Sequence, residues 1–201
     1  MSTFITGLVS GLSLIIAIGA QNAYLLRQAI IGKYQYAIAL FCALSDAVLI
    51  GLGVFGFGYV VEKFPMALEV LRWGGVIFLL WYGTQALLRI QESGSLDVDT
   101  KTTGPKTLLK ALLIAGAMTY LNPHVYLDTI VLLGSIANTV PGNSWLFYFG
   151  AITASFSWFF TLAAAGKPLR PIFSKPQAWK ILDFLIALLM FFLAAKLAFE
   201  F

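Results

Sequence analysis

Six mostly apolar stretches recur along the chain: Phe4–Leu26, Ala37–Val61, Met66–Leu88, Ala111–Gly134, Trp145–Ala165 and Trp179–Phe199. Each offers the roughly 20 residues that an α-helix needs to cross a bilayer. The first is the weakest, because "GAQN" at 19–22 interrupts it before its apolar run is complete. Helix breakers fall between the stretches: Pro65, Gly94, Gly104-Pro105, Pro141-Gly142, then Pro168, Pro171 and Pro176. The longest polar connection, "QESGSLDVDTKTTGPK" at 91–106, divides the chain near its middle. The pattern predicts an all-α integral membrane protein of about six transmembrane helices. They fall into a three-helix unit over 1–90, a polar linker over 91–106 and a second three-helix unit over 107–201.

The two halves echo each other. "QNAYLLRQ" at 21–28 resembles "PHVYLDTI" at 123–130, with Tyr24 and Leu25 falling on Tyr126 and Leu127. Each stretch lies in the first helix of its half. Three is an odd number of crossings, so the second half enters the membrane from the opposite side. The expected architecture is therefore two inverted three-helix repeats.

Composition agrees with a membrane protein. Of 201 residues 60% are hydrophobic and 11% charged, and the mean hydropathy is +0.87. A soluble domain runs nearer a quarter charged. Thirteen Lys and Arg outnumber nine acids, but no basic cluster stands on a polar face, so nucleic acid is not an expected partner. Ten of the thirteen cations lie after the first, third and fifth stretches: Arg27, Lys33, Arg89, Lys101, Lys106, Lys110, Lys167, Arg170, Lys175 and Lys180. Positive residues are retained on the cytoplasmic side. Those connections are expected inside, and with six crossings both termini lie outside. "MSTFITGLVSG" lacks the positive flank of a signal peptide and is expected to stay. Cys42 is the only cysteine, so no internal disulfide is possible. Its expected role is packing within a helix.

Polar residues inside the apolar stretches change the picture most. Asp46, in "CALSDAVLIG", lies ten residues into the second stretch, and Asp128 lies in the outer half of the fourth. A charge at the centre of a membrane helix costs about 2.5–3.5 kcal/mol on insertion scales, so such an acid persists where a partner or a water-filled cavity offsets the cost, a protonated or capped structural acid being the plainer alternative. The cations Arg27, Arg72, Lys110, Lys180 and Lys196 sit near stretch ends, where long side chains snorkel to the headgroups. On that reading the two acids lack a fixed countercharge, and a mobile cation or proton supplies it. In "LNPH", Pro123 removes a backbone donor and disturbs the preceding turn. Non-helical backbone at membrane depth is tolerated where it lines a cavity, so Asn122, Pro123 and His124 suggest a discontinuous helix facing a substrate. Gln21 and Asn22 hold the equivalent place in the first half, and Tyr126 joins the candidate set. An ordinary proline kink is the plainer alternative. His124 and Asp128 share a helical face at i and i+4. No nucleophile or ligand cluster surrounds them, so an enzyme, a cofactor and a metal are not expected. Asp97 and Asp99 read as a solvated loop.

"ITGLVSGLSLIIAIGAQNAYLLRQAI", "ALSDAVLIGLGVFG", "LRWGGVIFLLWYG", "TYLNPHVYLDTIVLLGS" and the "ASFSWFF" of Ala154–Phe160 together resemble the lysine/arginine exporter (LysE) family, in order and over nearly the whole chain. The resemblance implies a multi-pass protein of the bacterial inner membrane. It implies export of L-arginine or L-lysine by secondary transport coupled to the proton motive force, with Asp46 and Asp128 as the functional acids. It leaves homo-oligomers open. Many members carry proline where this chain has Ala20, which implies a milder break in the first helix here. Alternatives are export of another amino acid or small metabolite, and a small ion or proton channel.

Overall fold

The computed structural model describes residues 2–16, 19–56, 65–92 and 104–199. The end of the second apolar stretch, most of the 91–106 linker, and with them Gly58, Lys63, Asp97, Asp99 and Lys101, lie outside the described residues. The helices are α1 (Thr3–Ile15), α2 (Ala20–Ile31), α3 (Gln35–Val54), α4 (Pro65–Glu92), α5 (Leu108–Tyr120) and α6 (Pro123–Val125). A π-helical segment, Tyr126–Leu132, leads into α7 (Leu133–Thr139), followed by α8 (Ser144–Leu169) and α9 (Pro176–Phe199). The described chain is all-helical. α3, α8 and α9 are each long and apolar enough to cross a bilayer, and α1 with α2 pass the same test as one bent pair.

Two predicted helices are broken. α1 and α2 meet at 81°, so the break needs no proline at Ala20. α5 stops at Tyr120, and α6 starts at Pro123 after an extended Asn122 (φ −100°, ψ 105°). Proline forces the residue before it out of helical geometry and suits the first position of a helix, where its missing N–H is not needed. Pro123 therefore opens the second piece rather than kinking a continuous one.

The broken pieces still run end to end along whole helices. Thr3 Oγ1 donates to the Pro141 carbonyl at 3.1 Å, just before α8 begins. Gly7 and Gly11 lie against Phe147, Ala151 and Ala154, so close that a Cβ on Gly7 would meet the Phe147 carbonyl oxygen at 2.1 Å. At the far end of α8, Gly166 meets the backbone of Ala29, and Arg170 Nε donates to the Ile30 carbonyl at 3.2 Å. Without solvent between helices, such close approach of small residues supplies the packing. α2 then ends on Gly32, whose φ of +79° favours glycine and whose N–H bonds the Gln28 carbonyl.

The helices α4 and α9 pair antiparallel. Gly83 lies against Met190 and Phe191, and Arg72 donates to the carbonyls of Leu197 and Ala198 at 2.9 and 2.7 Å. α3 runs antiparallel to α8, with Phe55 against Trp145 at a ring distance of 4.5 Å. Among the described glycines of the second stretch, Gly53 makes the close approach: Gly134 of α7 and the backbone of Thr129 and Ile130 press on it. Gly51 faces the Tyr148 ring, and Gly56 has open space.

Contacts thus gather at two ends. Gly104 packs against Gln28 and Lys33 beside the Arg170–Ile30 bond, so the connections after the first, third and fifth apolar stretches meet. Thr3, Pro141, Phe55 and Trp145 lie at the other end.

Candidate functional site

Both breaks are bridged from their second pieces to the last residue of their first. Asn22 Nδ2 donates to the Ile15 carbonyl at 2.9 Å, and Tyr126 Oη donates to the Tyr120 carbonyl at 2.9 Å. These bonds satisfy carbonyls that a helix end leaves open. Asn122 Oδ1 accepts from the His124 N–H at 3.2 Å and caps α6.

Between the breaks lies a cavity of about 140 Å³, walled by Gly19, Ala20, Gln21 and Asn22 from the start of α2, Asp46 from α3, and Met118 from α5. Asn122, Val125, Asp128 and Thr129 close it from the second half, Phe159 from α8, and Leu14 and Ile15 from α1. That volume is roughly ten times what one water requires. Five of the eight sequence candidates meet in this wall: Gln21, Asn22, Asp46, Asn122 and Asp128. Pro123, His124 and Tyr126 are not part of it. Pro123 is buried as the first residue of α6, His124 gives its backbone N–H to the Asn122 cap, and Tyr126 spends its hydroxyl on the bridge. The three shape the break rather than line the cavity.

Asp46 is the buried acid of the wall, 5% exposed and near the middle of α3. Its Oδ2 accepts from Ser155 Oγ of α8 at 2.8 Å. Beside it, Ser45 Oγ accepts from Tyr120 Oη at 2.8 Å, tying α3 to the last residue of α5. Asp128 is less enclosed and sits on the π-helical turn, a geometry frequent at functional sites. The charges that reach it come from His124 and Lys196. Lys196 itself is exposed, in the last turn of α9. Among the described residues, the hydrogen-bond partner of Asp46 is Ser155.

Sequence reasoning missed two features. Ser155 stood in "ASFSWFF" as one small residue in an aromatic run, and its position midway along α8 was the available signal. Asp183, four residues into the last apolar stretch, was passed over as a third membrane acid. It is 2% exposed and holds Arg27, which is 4% exposed rather than snorkelled, and Arg89. Arg72 likewise caps the end of α9 and pairs with Glu69 at 3.1 Å.

Broken helices that meet at membrane depth around a polar cavity are the architecture of membrane transport proteins. The chain belongs to the LysE type translocator family, whose pattern matches residues 12–200. It is 38% identical over 200 residues to a protein named Arginine exporter protein ArgO from Photorhabdus laumondii subsp. laumondii, covering 98% of this chain and 96% of that one. A protein of the same name from Enterobacter sp. (strain 638) is 40% identical over 202 residues, covering 100% and 95%. A third, from Yersinia enterocolitica, is 38% identical over 201 residues, covering 98% and 97%. No solved structure matches. The chain is a multi-pass protein of the bacterial inner membrane and a translocator rather than an enzyme.

The hydroxyl of Ser155 fixes the Asp46 carboxylate. Ser155→Ala is expected to weaken the half-saturating concentration of the transported solute by roughly tenfold, since a hydrogen bond to a charged group is worth about 1.5–3 kcal/mol. The maximal rate and the amount of inserted protein are expected to change little. Initial rates over a range of solute concentrations check this.

Proposed function

We propose that the chain exports a basic L-amino acid, arginine or lysine, from the cytoplasm in exchange for protons. The observation that carries this reading is the cavity, where a buried carboxylate faces the start of a broken helix. The cationic end of the amino acid neutralises Asp46. The first peptide N–H groups of α2, at Ala20, Gln21 and Asn22, have no side-chain cap at Gly19. They carry the positive end of the helix dipole and receive the α-carboxylate, with Asn122 opposite. Asp128, with His124 and Lys196 near it, lies on the outward side of the wall and passes the protons. The relatives' shared name supports arginine as a substrate.

Six crossings in two inverted repeats, divided at 91–106, go with this mechanism. Support comes from the matching breaks, each bridged to the last carbonyl of its first piece, and from the two ends at which the connections gather. Cysteines placed at Lys106 and Lys175 are expected to react with an impermeant thiol reagent from the cytoplasmic side alone, and one at Thr3 from outside alone. Labelling of Lys175→Cys from outside overturns the orientation.

Purified protein in liposomes decides the function. Saturable efflux of labelled arginine or lysine, accelerated by an inward proton gradient, is the expected result. Flux that never saturates indicates a channel, and absence of both fluxes defeats the reading.

A further inference from the structure

Beyond the cavity, toward the end where Arg170 meets Ile30, two buried layers cross the bundle. The first is aromatic. Tyr24 of α2 meets Tyr82 of α4 edge-on at 6.0 Å, and Tyr24 Oη donates to the Ala111 carbonyl of α5 at 3.1 Å. The second is ionic. Asp183 Oδ1 of α9 accepts from Arg27 Nε of α2 at 3.0 Å, and from Arg89 Nε and Nη2 of α4 at 3.1 and 3.0 Å. Arg27 lies over the Trp179 ring at 5.8 Å and Arg89 over the Tyr82 ring at 5.6 Å. Tyr24 and Arg27 follow the cavity wall residue Asn22 on the same helix, about 3 and 8 Å further along its axis at 1.5 Å per residue.

The order along α2 is therefore cavity, aromatic layer, ion triad, then the basic end of the bundle. A buried ion network is a poor way to gain stability, because desolvation offsets the attraction, and its best-attested uses are registry and switching. Three apolar side chains would hold α2, α4 and α9 together as well. What the triad adds is a contact with a discrete broken state: the side chain of Arg89, in the last turn of α4, is 23% exposed while that of Asp183 is 3% exposed.

We propose that the Asp183–Arg27–Arg89 triad is the cytoplasmic gate of the cavity, closed in this structure and parted when the cavity opens to the cytoplasm. This rests on the carrier reading above. α2 carries both the gate and the cavity wall, so parting the triad moves Gly19–Asn22 and couples opening to the site.

The test uses an Arg27→Cys/Asp183→Cys chain in a Cys42→Ala background, in liposomes loaded with labelled arginine. A short bifunctional methanethiosulfonate bridges the two thiols, a monofunctional one labels them without bridging, and a reductant reverses both. A gate predicts at least a tenfold drop in efflux on bridging alone, recovered on reduction. Efflux by the bridged chain at the monofunctionally labelled rate makes the triad a static tie and overturns the proposal. If the reduced variant does not export, Asp183→Asn decides. An Ala20→Cys probe is expected to react several-fold faster from the cytoplasmic side in Asp183→Asn than beside native Asp183, and an unchanged rate overturns the gate. Native chain that exports neither arginine nor lysine defeats the carrier reading instead.

Discussion

Asp46→Asn is expected to abolish saturable arginine and lysine efflux while the protein still inserts in normal amount. The substitution keeps the shape of the side chain, and its amide oxygen can still accept the 2.8 Å bond from Ser155 Oγ, so the α3–α8 contact survives. What disappears is the charge that, on the proposed reading, neutralises the substrate cation. Removing one member of a buried, hydrogen-bonded charge pair costs about 2–5 kcal/mol, a factor of roughly 30 or more in affinity. Insertion becomes easier, since the price of a membrane charge is gone. Asp128→Asn is expected to cost less, about tenfold. Its carboxylate is only half-buried, and His124 and Lys196 already act on it. Asp46→Glu keeps the charge but adds a methylene at a site 5% exposed, where overpacking costs about 1–3 kcal/mol, so partial activity is expected. Initial efflux rates per inserted molecule, with arginine and lysine in parallel, check all three. A structural role for Asp46 reverses the order: accumulation fails first, and each inserted molecule exports at the native rate.

Much of this site was legible because membrane physics makes polar residues conspicuous. Asp46 stood out against the apolar residues on both sides of it, and "LNPH" announced a break because proline leaves so few conformations to the residue before it. The first break was visible only as the polar interruption "GAQN", and no single residue in it dictates an 81° turn. That turn comes from tertiary packing, with α1 seated on Phe147–Ala154 and the end of α2 on Gly166. Partners distant in sequence were illegible for the same reason. Ser155 lies 109 positions from Asp46, and Asp183 lies 156 from Arg27. Charge counting placed Arg27 near the end of an apolar stretch, yet it lies a full turn inside α2, buried against Asp183 of α9. His124 and Tyr126 were read as substrate contacts because a polar residue beside a break has two uses, facing the cavity or repairing the backbone. Spacing alone does not separate them; the bond from Tyr126 Oη to the Tyr120 carbonyl does.

Rejoining the broken helix tests that reading of the backbone. In Asn122→Ala/Pro123→Ala, "YLNPHVYL" becomes "YLAAHVYL", with good helix formers at the two positions that now hold the break open. Asn122 loses the side-chain oxygen that caps α6, worth about 1 kcal/mol. Position 123 regains an N–H that can bond back into α5, and position 122 is no longer confined to extended geometry. Each change favours one continuous helix from Leu108 onward. Such a helix swings Asp128 and Thr129 around its axis, takes them out of the wall they share with Asp46, and withdraws the Tyr126 bridge. Export is therefore expected to fall by at least tenfold in the double variant, with insertion and thermal stability retained or raised. Pro123→Ala alone is expected to lose less, because Asn122 still caps α6 and marks its start. The contrast with Asp46→Asn lies in the binding step. Removing the acid leaves the cavity standing without its charge, whereas healing the break removes the cavity while both acids remain. Tryptophan fluorescence or calorimetric melting, read beside efflux, separates the two. A double variant that exports at the native rate makes the break at Asn122-Pro123 a plain structural kink.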